Sequence, residues 1–375
     1  MTTLHPRPAR ILMTTDTVGG VWTYALELGR ALGLAGIRVG LASMGARPSS
    51  AQRREARAIK TLELFESEFR LPWMEEPWAE VEACGEWLMD LEARYSPDLI
   101  HLNEPVYASL PWSVPTVAVA HSCVLSWWEA VWKQPAPNQW SRYRERMRDG
   151  LAAADEVVAP SSWMLRQLKR HYGIPGGRAI ANGREHRSLA PQQKGAVVFA
   201  AGRVWDRAKN LLALAPVARE LPWPVYLAGD ARHPADGHAV EVDQLHLLGR
   251  LSACEVAAWL RRASVYAFPA KYEPFGLSVL EAALAGCALV LSDLPSFREQ
   301  WSGRALFVDP DRPTMLRDAI QSLIEDPLLR HSLGMEARRH GLTLTPRRMA
   351  LAYLGLYSEL LAREQRSWKE SACAS

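Results

Sequence analysis

The chain has 375 residues, a length that predicts two domains rather than one. Hydrophobic residues make up 48% and charged residues 23%, as in an ordinary globular protein, and a net charge of +3 is too small to indicate a nucleic-acid partner. The sequence contains no apolar run suited to a transmembrane helix or a signal peptide, and its five scattered cysteines lack metal or redox spacing. We therefore expect a cytoplasmic protein with reduced thiols.

The first half alternates short apolar runs with segments of helical periodicity. Residues 10–14 form the first predicted strand, and the pair Gly19-Gly20 leads into a helix whose apolar positions share one face. Residues 39–42 form the next strand. A strand, a helix and a second strand in this order predict a parallel sheet.

Two later strands of this half end in histidines. The run 97–103 contains His101 near its end, and the run 115–121 ends in His121. Ligands of open parallel sheets bind beyond the carboxyl ends of the strands. Both histidines are therefore candidates for a site, although a histidine in such a place is about as often structural.

Two further features of the first half leave alternatives open. The region 47–78 lacks clean periodicity, and its place between early strands suits an insertion that binds an acceptor. Trp127, Trp128 and Trp132 cluster after the second histidine. Because aromatic rings stack on sugars, pack cores and favour membrane interfaces, these tryptophans leave a peripheral membrane contact open.

The second half begins after a polar linker at 191–195 and restarts the alternation with a strand at 196–201. The segment 202–210 then reads Gly-Arg-Val-Trp-Asp-Arg-Ala-Lys-Asn. Its cations Arg203 and Lys209 lie six residues apart at a strand-to-helix junction, where both side chains can converge on one diphosphate. This spacing alone also fits an ordinary exposed pair.

The segment 271–286 carries the most informative pattern. An apolar run, 263–269, predicts a buried strand before it, Ser278 is the predicted N-cap of a helix, and Gly286 is its predicted stop. A loop between a strand and a helix N-terminus brings backbone N–H groups and a positive helix end to one point. Such a loop suits a phosphate.

Two glutamates flank this junction. Glu273 lies in the loop, where a carboxylate is placed to meet a sugar, and Glu281 lies two turns into the helix, where it is placed to bind a ribose diol. The spacing Glu273-x7-Glu281 with Pro-Phe-Gly-Leu between them resembles the retaining glycosyltransferases of family 4, and so does Gly-Arg-x-x-Asp-x-x-Lys-Asn at 202–210. The resemblance covers nearly the whole chain and is weakest on the acceptor side.

This resemblance implies the GT-B fold, an α/β architecture of two Rossmann-like, doubly wound domains that face a central cleft. The expected N-terminal, acceptor-side domain comprises residues 1–190 and is completed by a C-terminal helix, 346–375. The expected C-terminal domain, 191–345, binds the nucleotide-sugar donor.

The resemblance also implies which residues form the site. The expected catalytic residues are His121, Glu273, Arg203 and Lys209. The expected donor-binding residues are Gly20, Arg203, Lys209, Arg250, Leu251, Glu273, Phe275, Gly276, Leu277 and Glu281. No metal or other cofactor is implied, because the nucleoside diphosphate-sugar is a co-substrate and the cations neutralise its diphosphate.

Several of these roles come from the family alone. Gly20 is expected to let the donor or the acceptor approach the backbone, and His121 is expected to contact the transferred sugar from the N-terminal domain. Arg250 and Leu251 are expected to contact the nucleobase largely through backbone groups. Backbone contacts leave the identity of the base open.

A competing motif lies at Asp309-Pro310-Asp311, after an apolar strand. In GT-A glycosyltransferases an Asp-x-Asp pair binds Mg²⁺ or Mn²⁺ at the diphosphate. Here the motif follows a complete set of donor residues, and its proline also suits a plain turn. A metal site at these aspartates is therefore the minor alternative.

We expect a retaining, metal-independent glycosyltransferase that moves a hexose-type sugar from a nucleoside diphosphate donor to a glycan, lipid-linked or small-molecule acceptor. The expected location is the cytoplasm, with peripheral attachment to the inner face of the membrane left open. The alternatives are a GT-B epimerase or phosphorylase-like enzyme, and a non-catalytic sugar-binding protein.

Overall fold

The structure is a computed structural model that describes residues 6–231 and 245–374, with side chains described up to residue 366. Within those ranges the chain divides into two compact units. Unit 1 contains the described parts of 1–126, 136–183 and 346–375, and unit 2 contains those of 127–135 and 184–345.

Each predicted apolar run corresponds to a strand, and further strands lie between them. Up to residue 183 they are β1 (Arg10–Asp16), β2 (Arg38–Met44), β3 (Leu62–Glu66), β4 (Leu99–Leu102), β5 (Thr116–Val119), β6 (Glu156–Ala159) and β7 (Arg178–Ala179). After it they are β8 (Gly195–Ala201), β9 (Val225–Ala228), β10 (His246–Gly249), β11 (Ala263–Phe268), β12 (Ala288–Ser292) and β13 (Ala305–Val308).

The helices alternate with these strands. Up to residue 183 they are α1 (Gly20–Leu34), α2 (Ser50–Arg57), α3 (Trp78–Tyr95), α4 (Val124–Trp132), α5 (Ser141–Ala153) and α6 (Ser162–Tyr172). After it they are α7 (Leu214–Ala218), α8 (Ala253–Arg262), α9 (Leu277–Leu284), α10 (Pro295–Trp301), α11 (Pro313–Glu325), α12 (Pro327–Gly341) and α13 (Pro346–Ala374). Short 3₁₀ helices lie at Pro105–Ser109, Asn138–Trp140, Arg187–Leu189 and Leu211–Ala213.

Unit 1 is built on a seven-stranded sheet among the described residues, in the order β3-β2-β1-β4-β5-β6-β7, with every strand pair parallel. Strands β4 and β5 are buried along their whole length. Hydrophobic side chains cover both faces of the sheet, and helix α13 packs on one face together with α1. A parallel sheet needs this cover because both of its faces are apolar.

Unit 2 is built on a six-stranded parallel sheet, again among the described residues, in the order β10-β9-β8-β11-β12-β13. Its central strand β11 is fully buried. Helix α8 begins with a capping box in which Ser252 and Glu255 satisfy each other's backbone N–H groups.

The strand order of each sheet defines its topological switch point. In unit 1 the strand order reverses between β1 and β4, and in unit 2 it reverses between β8 and β11. Ligands of doubly wound sheets bind beyond the carboxyl ends of the strands at this switch point. In unit 2 those strand ends lead into the loops that carry Arg203 and Glu273.

The region 47–78 differs from its prediction. It contributes helix α2 and the edge strand β3, so it is part of the sheet and its helical cover rather than an insertion. Strand β3 has the sequence Leu-Glu-Leu-Phe-Glu and stays partly exposed at the sheet edge, which explains why it lacked a clear apolar run.

Among the helices that the structure describes, none is long and apolar enough to cross a lipid bilayer.

Candidate active site

The loop after β8 is organised by Asp206, whose side chain is buried. Its Oδ2 accepts a hydrogen bond from Nη2 of Arg203 at 2.6 Å, and its Oδ1 accepts one from the backbone N–H of Ala208 at 2.9 Å. The backbone N–H of Lys209 donates to the carbonyl of Asp206 at 2.9 Å. Asp206 therefore holds both predicted diphosphate ligands in one tight loop.

Lys209 joins this loop to the loop after β11. Its Nζ donates to Oε2 of Glu273 at 2.8 Å, and the two side chains are only 18% and 15% exposed. A charged hydrogen bond in such partly buried surroundings is stronger than one at the open surface. The predicted diphosphate ligand and the predicted sugar ligand therefore meet at one point beyond the switch point of unit 2.

Glu273 is also held by its own loop. Its Oε1 accepts hydrogen bonds from the backbone N–H groups of Phe275 at 3.3 Å and Gly276 at 3.0 Å. Its carbonyl accepts a bond from the hydroxyl of Ser296 at 2.5 Å. The expectation of free N–H groups for a phosphate is therefore wrong for these two groups, because Glu273 already uses them.

The start of α9 depends on Gly276, which is its N-cap. The φ angle of Gly276 is +89°, and a Cβ atom there would lie 2.9 Å from Cε1 of Phe297, so only glycine fits without strain. The prediction of Ser278 as the N-cap is wrong, because the helix begins at Leu277 and Ser278 lies in its first turn. Gly286, with φ +76°, follows the end of the helix as predicted.

Glu281 lies on α9 and pairs with Arg184, the residue at which the chain passes from unit 1 into the main segment of unit 2, 184–345. Nε of Arg184 donates to Oε1 of Glu281 at 2.7 Å, and the side chains are 22% and 17% exposed. The buried Tyr266 lies close by and donates its hydroxyl to the carbonyl of Ala201 at 3.2 Å. Burial raises the pKa of Tyr266, and the charges of Glu281 and Glu273 add to that effect.

Arg250 and Leu251 lie between β10 and the capping residue of α8. Arg250 is exposed and Leu251 is half-buried. In the described ranges neither residue shares a hydrogen bond or an ion pair with the four charged side chains predicted to hold the donor. Their contact with a nucleobase stays a prediction from the resemblance.

The aspartates of the competing metal motif are bonded to other protein groups. Oδ1 of Asp311 accepts a bond from Nζ of Lys271 at 2.6 Å, and this bond lowers the pKa of Asp311. Oδ1 of Asp309 accepts one from the backbone N–H of Asp311 at 2.9 Å, and the carbonyl of Pro310 accepts one from Nδ2 of Asn210 at 3.0 Å. The motif thus forms a turn that braces the loop carrying Lys209 and Asn210. No group of three potential metal-ligating side chains occurs in the described part of the chain.

In unit 1, His121 lies beyond the end of β5 and bonds to Asn103. Nε2 of His121 is 2.8 Å from Oδ1 of Asn103, whose Nδ2 donates to the carbonyl of Thr14 at 2.6 Å. Because that donation fixes the amide of Asn103, its oxygen faces the histidine. Nε2 of His121 therefore carries the proton, and Nδ1 is left as the acceptor of the ring.

The surroundings of His121 keep it neutral. Burial lowers its pKa to about 3, and its ring packs edge-on against Tyr24 with 4.4 Å between ring centroids. A neutral imidazole with an accepting Nδ1 can take a hydrogen bond from a hydroxyl group, but it cannot supply a positive charge to a phosphate near neutral pH.

His101 has a structural environment. It is fully buried, with Nδ1 2.7 Å from the hydroxyl of Tyr357 and Nε2 3.2 Å from that of Tyr24. The hydroxyl of Tyr24 in turn donates to Tyr353 at 2.6 Å. Burial, followed by the charge of His121, lowers the pKa of His101 to about 3. His101 thus ties β4 to α1 and α13 inside the core.

Gly20 is the first residue of α1 and is exposed, with Gly19 as the N-cap. The loop before it is closed by Asp16, whose Oδ1 accepts bonds from the N–H groups of Val18 at 2.8 Å and Gly19 at 3.1 Å. Gly20 therefore lies at the carboxyl edge of β1. Its proposed contact with a donor or acceptor stays a prediction.

Four residues without a predicted role support the candidate site. Asn103, Arg184 and Asp206 bond to candidate residues, and Asn210 bonds to the carbonyls of Pro269 and Pro310. Asp206 and Asn210 stand in the quoted 202–210 pattern, and Asn103 directly follows a strand, so local signals for them existed. Arg184 follows an Asn-Gly turn, and its partner lies 97 residues away. Only the fold reveals that pairing.

Two family profiles together match most of the chain. Residues 18–186 match Glycosyltransferase Family 4, and residues 185–340 match Glycosyl transferases group 1. The D-inositol 3-phosphate glycosyltransferase of Salinispora arenicola is 28% identical over 229 residues, which are 55% of this chain and 50% of that protein. The D-rhamnosyltransferase WbpZ of Pseudomonas aeruginosa is 27% identical over 222 residues, 52% of this chain and 56% of WbpZ. In both, the match spans about half of the relative's length.

Solved structures share the fold over nearly the whole chain. Sucrose-phosphate synthase from Thermosynechococcus elongatus superimposes with a TM-score of 0.77 at 21% identity, covering 94% of this chain and 99% of that one. HepE of Anabaena, solved in complex with UDP-glucose, superimposes with a TM-score of 0.69 at 16% identity, covering 96% and 99%. At these identities the likeness establishes the GT-B fold.

Proposed function

The chain belongs to glycosyltransferase family 4, and on that premise we propose that it transfers a hexose-type sugar from a nucleoside diphosphate donor with retention of anomeric configuration. The observation that carries the proposal is the 2.8 Å bond between Lys209 and Glu273. It brings the two most specific sequence patterns together at the switch point of unit 2, where ligands of such sheets bind.

The diphosphate is the group that Arg203 and Lys209 would hold. The largest charge that develops in the transition state lies on the departing diphosphate, so fixed cations beside it lower the barrier. The positive N-terminal end of α9 would add to this stabilisation. Because these two cations and the helix end would neutralise the diphosphate, we propose that the reaction needs no metal ion.

The sugar and the ribose are the groups that the two carboxylates would hold. Glu273, fixed by Lys209 and by two backbone N–H groups, would accept hydrogen bonds from sugar hydroxyls. Glu281 would accept them from the ribose. We assign no nucleophile to Glu273, since the departing phosphate is proposed to assist the acceptor on the same face of the sugar.

His121 is proposed to contact the transferred sugar from the N-terminal domain. A neutral ring with Nδ1 as its acceptor would take a hydrogen bond from a sugar hydroxyl. Gly20 is proposed to let a substrate group approach the backbone at the carboxyl edge of β1. Both roles follow from the family resemblance.

The similar proteins support a nucleotide-sugar donor and indicate which substrates to test first. HepE was solved with UDP-glucose, and the Salinispora and Pseudomonas relatives are named for inositol phosphate and D-rhamnose. UDP-glucose and an inositol phosphate are therefore the first donor and acceptor to try, followed by lipid-linked saccharides and glycans.

Product analysis tests the proposal. The protein is incubated with an α-configured nucleotide sugar and each acceptor, released nucleoside diphosphate is quantified, and the anomeric configuration of the product is read by NMR. We expect an α-linked product from wild type and none from Lys209→Ala. A β-linked product would refute retention.

The same assay separates the rival functions. An epimerase would convert the nucleotide sugar without an acceptor and without releasing nucleoside diphosphate, and a phosphorylase-like enzyme would form a sugar phosphate only with added phosphate. A non-catalytic binding protein would bind the nucleotide without turnover. The intact Lys209–Glu273 and Arg184–Glu281 pairs favour a working enzyme.

A further inference from the structure

Both the backbone and the side chain of Arg184 are hydrogen-bonded within unit 2. Its backbone N–H donates to the carbonyl of Leu344 at 3.0 Å, within unit 2, and its Nε donates to Oε1 of Glu281 at 2.7 Å. Backbone and guanidinium are thus both fixed. An arginine anchored in this way gives its carboxylate partner one defined position, because the planar guanidinium donates in fixed directions.

The bond to Arg184 engages only one carboxylate oxygen of Glu281. Among the residues that the structure describes, no hydrogen-bond donor contacts the other oxygen, Oε2. The pair is also largely removed from water, with 22% and 17% of the side chains exposed. A carboxylate in such a place is oriented by its one strong partner, and its second oxygen remains available to a ligand hydroxyl.

We propose that Arg184 is a positioning residue that aims Oε2 of Glu281 at the ribose hydroxyls of the donor and so makes the site select ribonucleotides over 2′-deoxyribonucleotides. This inference rests on the proposed function, in which Glu281 meets the ribose. Arg184 itself need not touch the donor. It sets the direction in which Glu281 accepts.

Replacing Arg184 should weaken the binding of ribonucleotides more than the binding of 2′-deoxyribonucleotides. The carboxylate of Glu281 would lose its fixed partner and its orientation, so the hydrogen bond to the 2′-hydroxyl would weaken. A 2′-deoxyribonucleotide lacks that hydroxyl and has less to lose. A merely structural ion pair would instead lower the stability of the fold and leave the preference between the two nucleotides unchanged.

Titration calorimetry with the full-length chain tests this difference. The probes are UDP, GDP and ADP with their 2′-deoxy counterparts, and the proteins are wild type, Arg184→Ala and Arg184→Lys. We expect wild type to prefer the ribonucleotide by about 10- to 100-fold, the loss of one hydrogen bond to a charged group. Arg184→Ala should reduce that ratio to about threefold or less, and Arg184→Lys should restore part of it.

Arg338→Ala is the matched control. Nε of Arg338 donates to the carbonyl of Leu284 at 3.1 Å, at the other end of the same helix α9. This variant should keep the wild-type preference even if it lowers the melting temperature.

Three outcomes would overturn the inference. A wild type that shows no preference for the ribonucleotide would contradict it, and so would an unchanged ratio in Arg184→Ala, whether or not both affinities fall; either result would leave the proposed function standing. Failure of wild type to bind any of the six nucleotides would remove the proposed function together with the inference.

Discussion

Nζ of Lys209 lies 2.8 Å from Oε2 of Glu273, so the side chain proposed to hold the donor diphosphate is bonded to the one proposed to hold the sugar. The two residues are 64 positions apart and come from loops after neighbouring strands, β8 and β11. A bound diphosphate would give Lys209 a second anionic partner at the same point. With a donor bound as proposed, the pair would link recognition of the leaving group to placement of the sugar.

Lys209→Ala should weaken binding of the donor nucleotide by about 1.5–3 kcal/mol, the contribution of a hydrogen bond from a charged group. Calorimetric titration of the folded variant with UDP, GDP and ADP measures this loss. Lys271→Ala is the matched control, because Lys271 pairs with Asp311 instead and should leave the affinity unchanged. Unchanged affinity in folded Lys209→Ala would remove this residue from the diphosphate site.

Gly276→Ala should lower the free energy of unfolding by about 1–3 kcal/mol, since alanine would be strained at φ +89° and its Cβ would press on Phe297. Urea unfolding measures the change. Gly355→Ala is the control, because a Cβ there meets open space within α13 and should be neutral or slightly stabilising. Equal effects of the two substitutions would show that the start of α9 tolerates a side chain.

Transferase activity should survive treatment with EDTA. The carboxylate of Asp311 is bonded to Lys271, and that of Asp309 accepts from the backbone, so the motif serves the turn that braces the loop 202–210. The measurement compares initial rates before and after chelation and desalting. Loss of activity that Mn²⁺ or Mg²⁺ restores would instead assign these two aspartates to a metal site.

Glu104→Gln should stabilise the protein more at alkaline than at acidic pH. Burial, with a further contribution from Asp16, raises the pKa of Glu104 from 4.5 to about 8 although part of the residue reaches solvent. Because the folded-state pKa is raised, the stability that the protonated carboxyl contributes is present at low pH and is lost as pH rises from about 4.5 to 8. The advantage of the variant should therefore grow over that window, by at most about 1.4 kcal/mol per pH unit.

Urea unfolding near pH 5 and near pH 8 measures that trend. The exposed Glu86 on α3 provides the control, and Glu86→Gln should differ from wild type by a similar amount at both values. If the difference between Glu104→Gln and wild type stayed constant with pH, Glu104 would ionise in the folded protein as it does in the unfolded chain.

Much of the fold is predictable because both sheets are parallel and buried. Such strands read as short apolar runs, and the runs at 10–14, 39–42 and 263–269 all correspond to strands. Strand β7 has two residues and β3 is a partly exposed edge strand, so neither carries that signal. The GT-B fold was instead implied by the family resemblance of the patterns at 202–210 and 273–286.

The candidate site is predictable only where its residues are neighbours in sequence. The patterns at 202–210 and 273–281 identify the charged side chains, but the partners that orient them depend on the fold. Glu281 meets Arg184 across 97 residues, and the tautomer of His121 depends on how Asn103 is held 18 residues before it. Hydrogen-bond direction and burial are properties of the packed chain.

Unit 2 is proposed to bind a nucleotide-sugar donor through Glu281 and its neighbours. Thermal-shift titrations with UDP-, GDP-, ADP- and dTDP-sugars, on wild type and Glu281→Gln, measure this binding. A ligand at 100 times its dissociation constant should add about 2.7 kcal/mol of stability. We expect such a shift with a ribonucleotide sugar and its loss in Glu281→Gln. No shift with any donor, or an equal shift in the variant, would show that Glu281 does not hold a donor here.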